Sequence, residues 1–206
     1  MKNQEPTLVD RVSEEKKQKI RSVTREWVES IVIAFVLAMF IRTFFFQAFR
    51  IPSGSMRMTL IEGDRLLVNK LVYGPLLPLF HKRIPGFSKP QRGDVVVFIY
   101  PEDRKRDFIK RLIAVGGETV EIKMGDIYIN GQEVTDPTIK NIYYYNRGPH
   151  GGVNQKVVVP DGYYYVLGDN SESSHDSRFW GFVPEQYVIG KAQLIYWPLD
   201  RIRVIK

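Results

Sequence analysis

The sequence contains no cysteine, which excludes disulfides, a thiol nucleophile and thiolate-bound metal in whatever compartment the chain resides. Histidine is nearly as scarce: His81, His150 and His175 lie far apart, and their spacing offers no zinc motif. No metal or cofactor is therefore expected. His175 precedes Asp176 directly, but neighbours in sequence do not easily reach triad geometry, and a solvated loop histidine is the simpler reading. Repeats and low-complexity tracts are absent, and only one hydrophobic run is long. At 206 residues the chain has room for one ordinary domain with an appendage, so one core should dominate.

The net charge of +7 divides into +2 for residues 1–49 (8 basic minus 6 acidic) and +5 for residues 50–206 (22 minus 17). A mildly basic folded part suits an anionic membrane surface, nucleic acid, or simply a well-solvated exterior. Residues 1–15 lack an apolar period and read as a mobile or loosely helical tail. Lys16 to Arg25 then carries five basic residues and no acidic one, the flank expected on the cytoplasmic side of a span. Residues 1–26 thus form a basic tail, followed by a hydrophobic segment from Trp27 to Phe49.

As a helix that segment would extend roughly 34 Å, against a hydrocarbon core of ~30 Å. Glu29, Arg42 and Gln47 interrupt it; Arg42 can snorkel to the outer headgroups. An interfacial helix is the alternative. A removable signal would need small residues after the apolar run, whereas Phe44-Phe45-Phe46-Gln47-Ala48-Phe49-Arg50 follows Arg42. The segment reads as an uncleaved anchor.

Beyond Arg50, short β-branched and aromatic runs alternate with Gly, Pro, Asn and Asp, predicting a mainly β domain over residues 50–206. Strands are expected at 65–70, 94–100, 108–115, 119–123, 127–130, 156–159, 163–167, 188–197 and 202–205. Asn130-Gly131 marks a hairpin turn, and Pro160-Asp161-Gly162 a second turn. Residues 74–91 and 136–154 read as loops, the latter as an insertion. Tyr143-Tyr144-Tyr145 and Tyr163-Tyr164-Tyr165 could stack nucleic-acid bases. Strand propensity and core packing explain them more simply, and a domain outside the membrane would not meet nucleic acid.

Ser53-Gly54-Ser55 places two hydroxyls around a glycine just beyond the apolar segment. A serine acts as a nucleophile only where a base takes its proton and donors hold the oxyanion. In Asp107-Phe108-Ile109-Lys110-Arg111-Leu112-Ile113-Ala114, alternation puts Lys110 with Phe108, Leu112 and Ala114, and Arg111 with Ile109 and Ile113. An amine on an apolar face loses hydration, which favours its neutral form. Holding a lysine neutral at pH 7 from ~10.4 costs roughly 4.6 kcal/mol, so burial must bring it towards ~7–8 to make a base. A sheet-edge lysine that discourages strand pairing is the competing reading.

The stretches 51–60 (IPSGSMRMTL), 63–74 (GDRLLVNKLVYG), 92–98 (RGDVVVF), 107–118 (DFIKRLIAVGGE) and 168–183 (GDNSESSHDSRFWGFV) resemble, in order, the conserved boxes of the type I signal peptidases, membrane-anchored serine-lysine peptidases. The resemblance covers nearly the whole folded part. It implies a signal-peptidase-like β-sheet catalytic domain behind one transmembrane helix. It also implies Ser55 as nucleophile and Lys110 as general base, with Ser53 and the Ser55 N–H as oxyanion donors and Ser174 orienting the lysine. Asp176 with Arg178, and Asp169 with Arg111, would prop the site. Two departures stand out: Arg57-Met58 where the family usually shows Met-Pro, and Ser171-Glu172-Ser173 for the usual Arg-Asp-Asn.

On this resemblance the expected substrate is a signal-peptide-bearing preprotein, with small residues at the first and third positions before the cut. It would bind extended beside Ile51 and Pro52 and along the Asp107, Phe108 and Ile109 strand. Ser55 lies six residues beyond Phe49, at most ~20 Å of extended chain from the predicted helix end. The expected setting is a bacterial plasma membrane, or a thylakoid, with the tail cytoplasmic and the catalytic domain outside. Anionic phospholipid and the export machinery would be its partners. A non-cleaving tethered module and a protease with one dedicated substrate are the rivals.

Overall fold

The computed structural model describes residues 8–76 and 83–205; His81 lies outside them. The chain divides into two units, residues 1–42 and 43–206.

The first unit holds most of helix α1 (Leu8–Phe44), whose last two residues fall in the second. Its stretch Val23–Phe44 is long and apolar enough to cross a membrane, and Trp27, Ile31, Val32, Phe35 and Val36 are all exposed along it. A helix apolar on every side suits lipid better than water. The helix stops five residues short of the predicted boundary. Phe46–Arg50 is instead strand β1, antiparallel to Arg65–Asn69. The run of phenylalanines hides this boundary because aromatic residues suit a strand as well as a span. Phe49 packs on the core beside Ile51, Met56 and Leu60.

The second unit is built from antiparallel strands. After β1 come β2 (Arg65–Asn69), β3 (Val95–Ile99), β4 (Asp107–Val115), β5 (Thr119–Lys123), β6 (Asp126–Ile129) and β7 (Gln132–Glu133). Short helix α2 (Pro137–Lys140) leads to β8 (Lys156–Val158), β9 (Tyr163–Leu167), helix α3 (Ser177–Trp180), β10 (Val183–Pro184), β11 (Val188–Trp197) and β12 (Arg203–Val204). The larger sheet has the order β1-β2-β11-β3-β4-β9-β10, with β12 on β11; the smaller runs β7-β6-β5-β8. Nearly every predicted strand is present to within a residue or two, including the hairpin at Asn130-Gly131.

Central strand β3 shows why the larger sheet is stable. Its Val95 and Val97 join one cluster with Ile51, Met56 and Leu66, while Val96 and Phe98 join another with Leu112 and Val166. A strand buried on both faces reads as a continuous apolar run, as VVVF does. A third cluster links the sheets through Ile113, Val120, Ile127, Tyr144 and Tyr165. Tyr144, Tyr164 and Tyr165 are buried, so core packing accounts for them; Tyr143 and Tyr145 stay exposed and meet edge to face.

On β4 the alternation holds as far as Leu112. Lys110 lies opposite Val96 and Phe108 opposite Phe98, whereas Arg111 lies opposite Val95. Beyond it the prediction fails. A bulge against β9 between Leu112 and Ala114 puts Ala114 into the same cluster as Ile113, because an extra residue resets which way the next side chain faces. The 136–154 segment is no loose loop. Asp136 caps α2 by accepting from Thr138 N–H at 2.9 Å, and Ile139, Ile142 and Tyr144 are buried in the third cluster.

Candidate active site

The turn at Ser55 follows from its flanks. Ile51 N–H donates to Asp64 O and Gly63 N–H to Ile51 O, both at 2.9 Å, so the chain is tied down before Pro52. Ser53 is extended and exposed, and Gly54–Met56 makes one 3₁₀ turn. Met56 and Leu60, both fully buried, plug that turn into the core. Ser55 is thereby presented at the first turn, where backbone N–H groups lack a partner within the turn.

Strand β4 brings the lysine. Lys110 Nζ lies 2.7 Å from Ser55 Oγ and donates to Ile109 O at 3.0 Å. Only 4% of Lys110 and 8% of Ser55 are exposed. The Phe108 ring lies 5.5 Å from Nζ. Burial pulls the amine down to about 8; attraction from Asp176 and then Asp169 pulls the other way, and Arg178 adds to the lowering. An amine that sheds its proton near pH 8 has a lone pair to offer a hydroxyl at this distance.

The loop after β9 closes over the pair, held by two ion pairs. Arg111 is bidentate to Asp169 (Nε to Oδ1 2.9 Å, Nη2 to Oδ2 2.7 Å) and donates to Gly93 O at 2.6 Å. Thr59 Oγ1 donates to Asp169 Oδ2 at 2.5 Å. Arg178 is bidentate to Asp176 (Nε to Oδ1 2.8 Å, Nη2 to Oδ2 2.8 Å), and Asp176 Oδ2 also accepts from Gly168 N–H at 3.0 Å. All four charged side chains are essentially inaccessible. Each carboxylate near the lysine thus carries its own guanidinium. That limits how far the two acids can re-charge the amine.

Gly168 is where this loop touches Ser55. A Cβ there would sit 2.5 Å from Ser55 O and 2.2 Å from Ser174 Oγ, so the approach requires glycine. Ser174 is buried, yet its hydroxyl makes no hydrogen bond. Its expected bond to the lysine is not formed in this structure. Ser53 likewise has no side-chain bond capping the turn. His175 is exposed and meets Tyr100 OH at 3.3 Å and the Phe179 ring.

Of the expected substrate contacts, Ile51 is buried with its N–H and C=O already paired, which leaves it no backbone group for a further strand; Pro52 is exposed and has no N–H to give. Asp107, Phe108 and Ile109 pair with β3 on one side only, since β9 joins β4 from Arg111 onward. That leaves a free strand edge leading up to Lys110.

Sequence reasoning missed three contributors. Asn170 hydrogen-bonds two carbonyls of the Ser55 turn, Gly54 O and Ser55 O. Thr59 joins the Arg111–Asp169 pair. Within the 136–154 segment, Tyr145 O accepts from Arg178 Nη1 at 2.9 Å and His150 N–H donates to Arg178 O at 2.9 Å. These partners lie far apart in sequence, and no local pattern signals them.

A family model described as "Signal peptidase, peptidase S26" matches residues 24–197. A signal peptidase I of Leptolyngbya laminosa is 39% identical over 191 residues, spanning 89% of this chain and 85% of that one. One from Bacillus licheniformis is 36% identical, spanning 93% and 98%. A solved signal peptidase I from Enterococcus faecalis is 36% identical, covers 50% of this chain and 97% of its own, and superposes with a TM-score of 0.42. The boxes read from the sequence, the paired serine and lysine and the matched span all lead to one assignment: this chain belongs to the signal peptidase I family of S26 serine peptidases.

Proposed function

We propose that this protein is a membrane-anchored endopeptidase that removes signal peptides from preproteins through a Ser55–Lys110 dyad. The single observation that carries this reading is the 2.7 Å contact between a buried amine lowered to about 8 and the hydroxyl of a serine set in a glycine-flanked turn.

In this mechanism Ser55 Oγ attacks the scissile carbonyl while Lys110 Nζ takes its proton. The oxyanion is held by Ser55 N–H and the Ser53 hydroxyl, which is free to turn towards it. As the tetrahedral intermediate collapses, the C–N bond breaks and the lysine returns the proton to the leaving amine. Water then attacks the acyl-enzyme ester with Lys110 again as base, and Ser55 is released. Ser174 orients the amine once its hydroxyl turns to Nζ. The substrate adds as a strand on the free edge of β4 at Asp107–Ile109. Because Ile51 is committed to Asp64 and Gly63, the opposing contacts come from Pro52 and Ser53.

Helix α1 serves as the anchor, with its basic flank in the cytoplasm and drawn to anionic phospholipid, and the catalytic domain outside, where preproteins leave the export machinery. Since α1 ends at Phe44 and β1 begins at Phe46, Phe45 alone joins the helix to the sheet, so the catalytic domain follows directly on the anchor. The bacterial plasma membrane fits this arrangement, as would a thylakoid. Incubating the full chain with an ordinary preprotein in vesicles, beside a Ser55→Ala control, tests the reading. Cleavage at the signal-peptide junction by the wild type alone supports it. No cleavage by either contradicts general signal-peptide processing and leaves a dedicated substrate as the alternative.

A further inference from the structure

Asn170 makes two hydrogen bonds that converge on the nucleophile. Its side-chain Nδ2–H donates to Gly54 O at 2.8 Å, and its backbone N–H donates to Ser55 O at 3.0 Å. The first bond matters because of what shares its peptide plane. Gly54 C=O and Ser55 N–H belong to one planar trans unit, in which carbonyl and N–H point in opposite directions. Fixing Gly54 O therefore fixes the direction of Ser55 N–H, away from Asn170. The second bond fixes the next plane, so that Ser55 is held on both sides.

The turn's own hold on the Gly54–Ser55 peptide plane is the longer bond, Arg57 N–H to Gly54 O at 3.2 Å, and Asn170 reinforces it from outside. Gly54 has no Cβ to hinder rotation of the plane that follows it, and Ser53 before it is exposed, with no capping side-chain bond. Asn170, in contrast, stands on a loop pinned by two buried ion pairs, Asp169 with Arg111 immediately before it and Asp176 with Arg178 beyond. A rigid support of this kind is what holds a reacting group in place. The remaining contacts of the loop to the turn do not fix that plane: the Asp169 N–H meets Met56 Sδ at 3.4 Å and Gly168 lies against Ser55 O.

We infer that Asn170 is a positioning residue that aims the Ser55 N–H at the oxyanion, linking the two ion pairs behind the site to the donor in front of it. The inference rests on the reading of Ser55 as nucleophile.

The test uses the full chain in detergent micelles with Asn170→Ala and the near-isosteric Asn170→Asp, whose carboxylate accepts but cannot donate to Gly54 O. Five quantities are measured: kcat and KM on a preprotein, affinity for a peptide of the same sequence with a reduced scissile bond, affinity for a peptidyl boronate, and the pH profile. In the boronate adduct Ser55 Oγ bonds to boron, its proton passes to Lys110, and a boronate oxygen occupies the oxyanion position. Both variants should lose about 10- to 100-fold in kcat, with boronate affinity weakened by a similar factor. KM and ground-state peptide affinity should change by no more than about twofold, and the pH limb should not move.

Folded variants that keep kcat and boronate affinity overturn the inference, as does a loss of kcat with boronate affinity intact. Thermal melting checks the fold; loss of structure in both variants would assign Asn170 a purely structural role and overturn the inference too. Ser55→Ala keeps the two levels apart. If Ser55→Ala still turns over, the dyad reading has failed; if it is inactive while the Asn170 variants behave as wild type, only this inference has.

Discussion

Lys110 and Arg111 are consecutive residues of β4, both basic and both buried, and the fold treats them in opposite ways. Arg111 meets a carboxylate head-on, in a two-point contact with Asp169 closed by Thr59 and Gly93 O. Lys110 meets a hydroxyl and a carbonyl. One strand face thus supplies a counter-ion and keeps a charge as structure; the other withholds one and leaves an amine that sheds its proton near pH 8. The difference lies less in the side chains than in where the loop 168–178 delivers its two aspartates, each to a guanidinium and neither to the amine.

The largest effects come from removing that difference. Ser55→Ala, Lys110→Ala and Lys110→Arg should each lower kcat/KM on a preprotein by at least ~10⁴-fold while leaving the circular dichroism unchanged. The arginine variant is the sharper of the lysine tests, since it restores charge and length but cannot give up a proton. A Lys110→Arg enzyme with substantial activity would mean that the two faces are interchangeable.

Disturbing the pair behind the lysine comes next. Both Asp176 and Arg178 are fully buried, so removing either partner should cost roughly 3–5 kcal/mol in denaturant unfolding. The surviving enzyme carries a sharper signature. Arg178→Gln leaves the attraction of Asp176 for the amine unopposed and should move the rising limb of the pH profile to higher pH. Asp176→Asn leaves the repulsion of Arg178 and should move it lower. Shifts in the same direction would contradict the electrostatic account.

Burying the Lys110 amine also costs stability while it is charged. In the unfolded chain the amine holds its proton to ~10.4, whereas in the folded chain it loses it near 8. Between those values the unfolded state binds more protons, so stability should climb as pH rises through that window, with a penalty of about 3 kcal/mol in full force below it. Lys110→Met should therefore be inactive yet more stable than wild type at pH 7, and its stability should lack that climb. Unfolding midpoints at pH 7 and pH 10 measure this. The smallest effect belongs to His175→Asn, which should keep kcat/KM within about twofold, because that ring touches Tyr100 and not the dyad.

The strands were legible because alternation and turn residues bracket them, and the face of Lys110 because apolar residues two places either side of it mark it; its role as base came only by resemblance, since the strand alone favoured a sheet-edge lysine. Helix α1 ran over its true end because Phe44-Phe45-Phe46 satisfies a span and a strand equally. Ala114 was assigned the wrong face because a bulge is a property of two paired strands and leaves no trace in either one alone. The boxes at 51–60 and 168–183 named the site residues, but only by resemblance. That Asn170 reaches back 116 positions to Gly54, or that the 136–154 segment wraps Arg178, depends on chain closure that no window of sequence contains.

The most direct measurement follows the Lys110 amine itself. Its side-chain ¹³Cε resonance, assigned by its loss in Lys110→Arg, is titrated alongside kcat/KM for a preprotein over the same pH range. The account predicts one shared transition near pH 8, cleavage rising as the amine loses its proton. An amine still protonated above about pH 10 while cleavage is already at its plateau would contradict it.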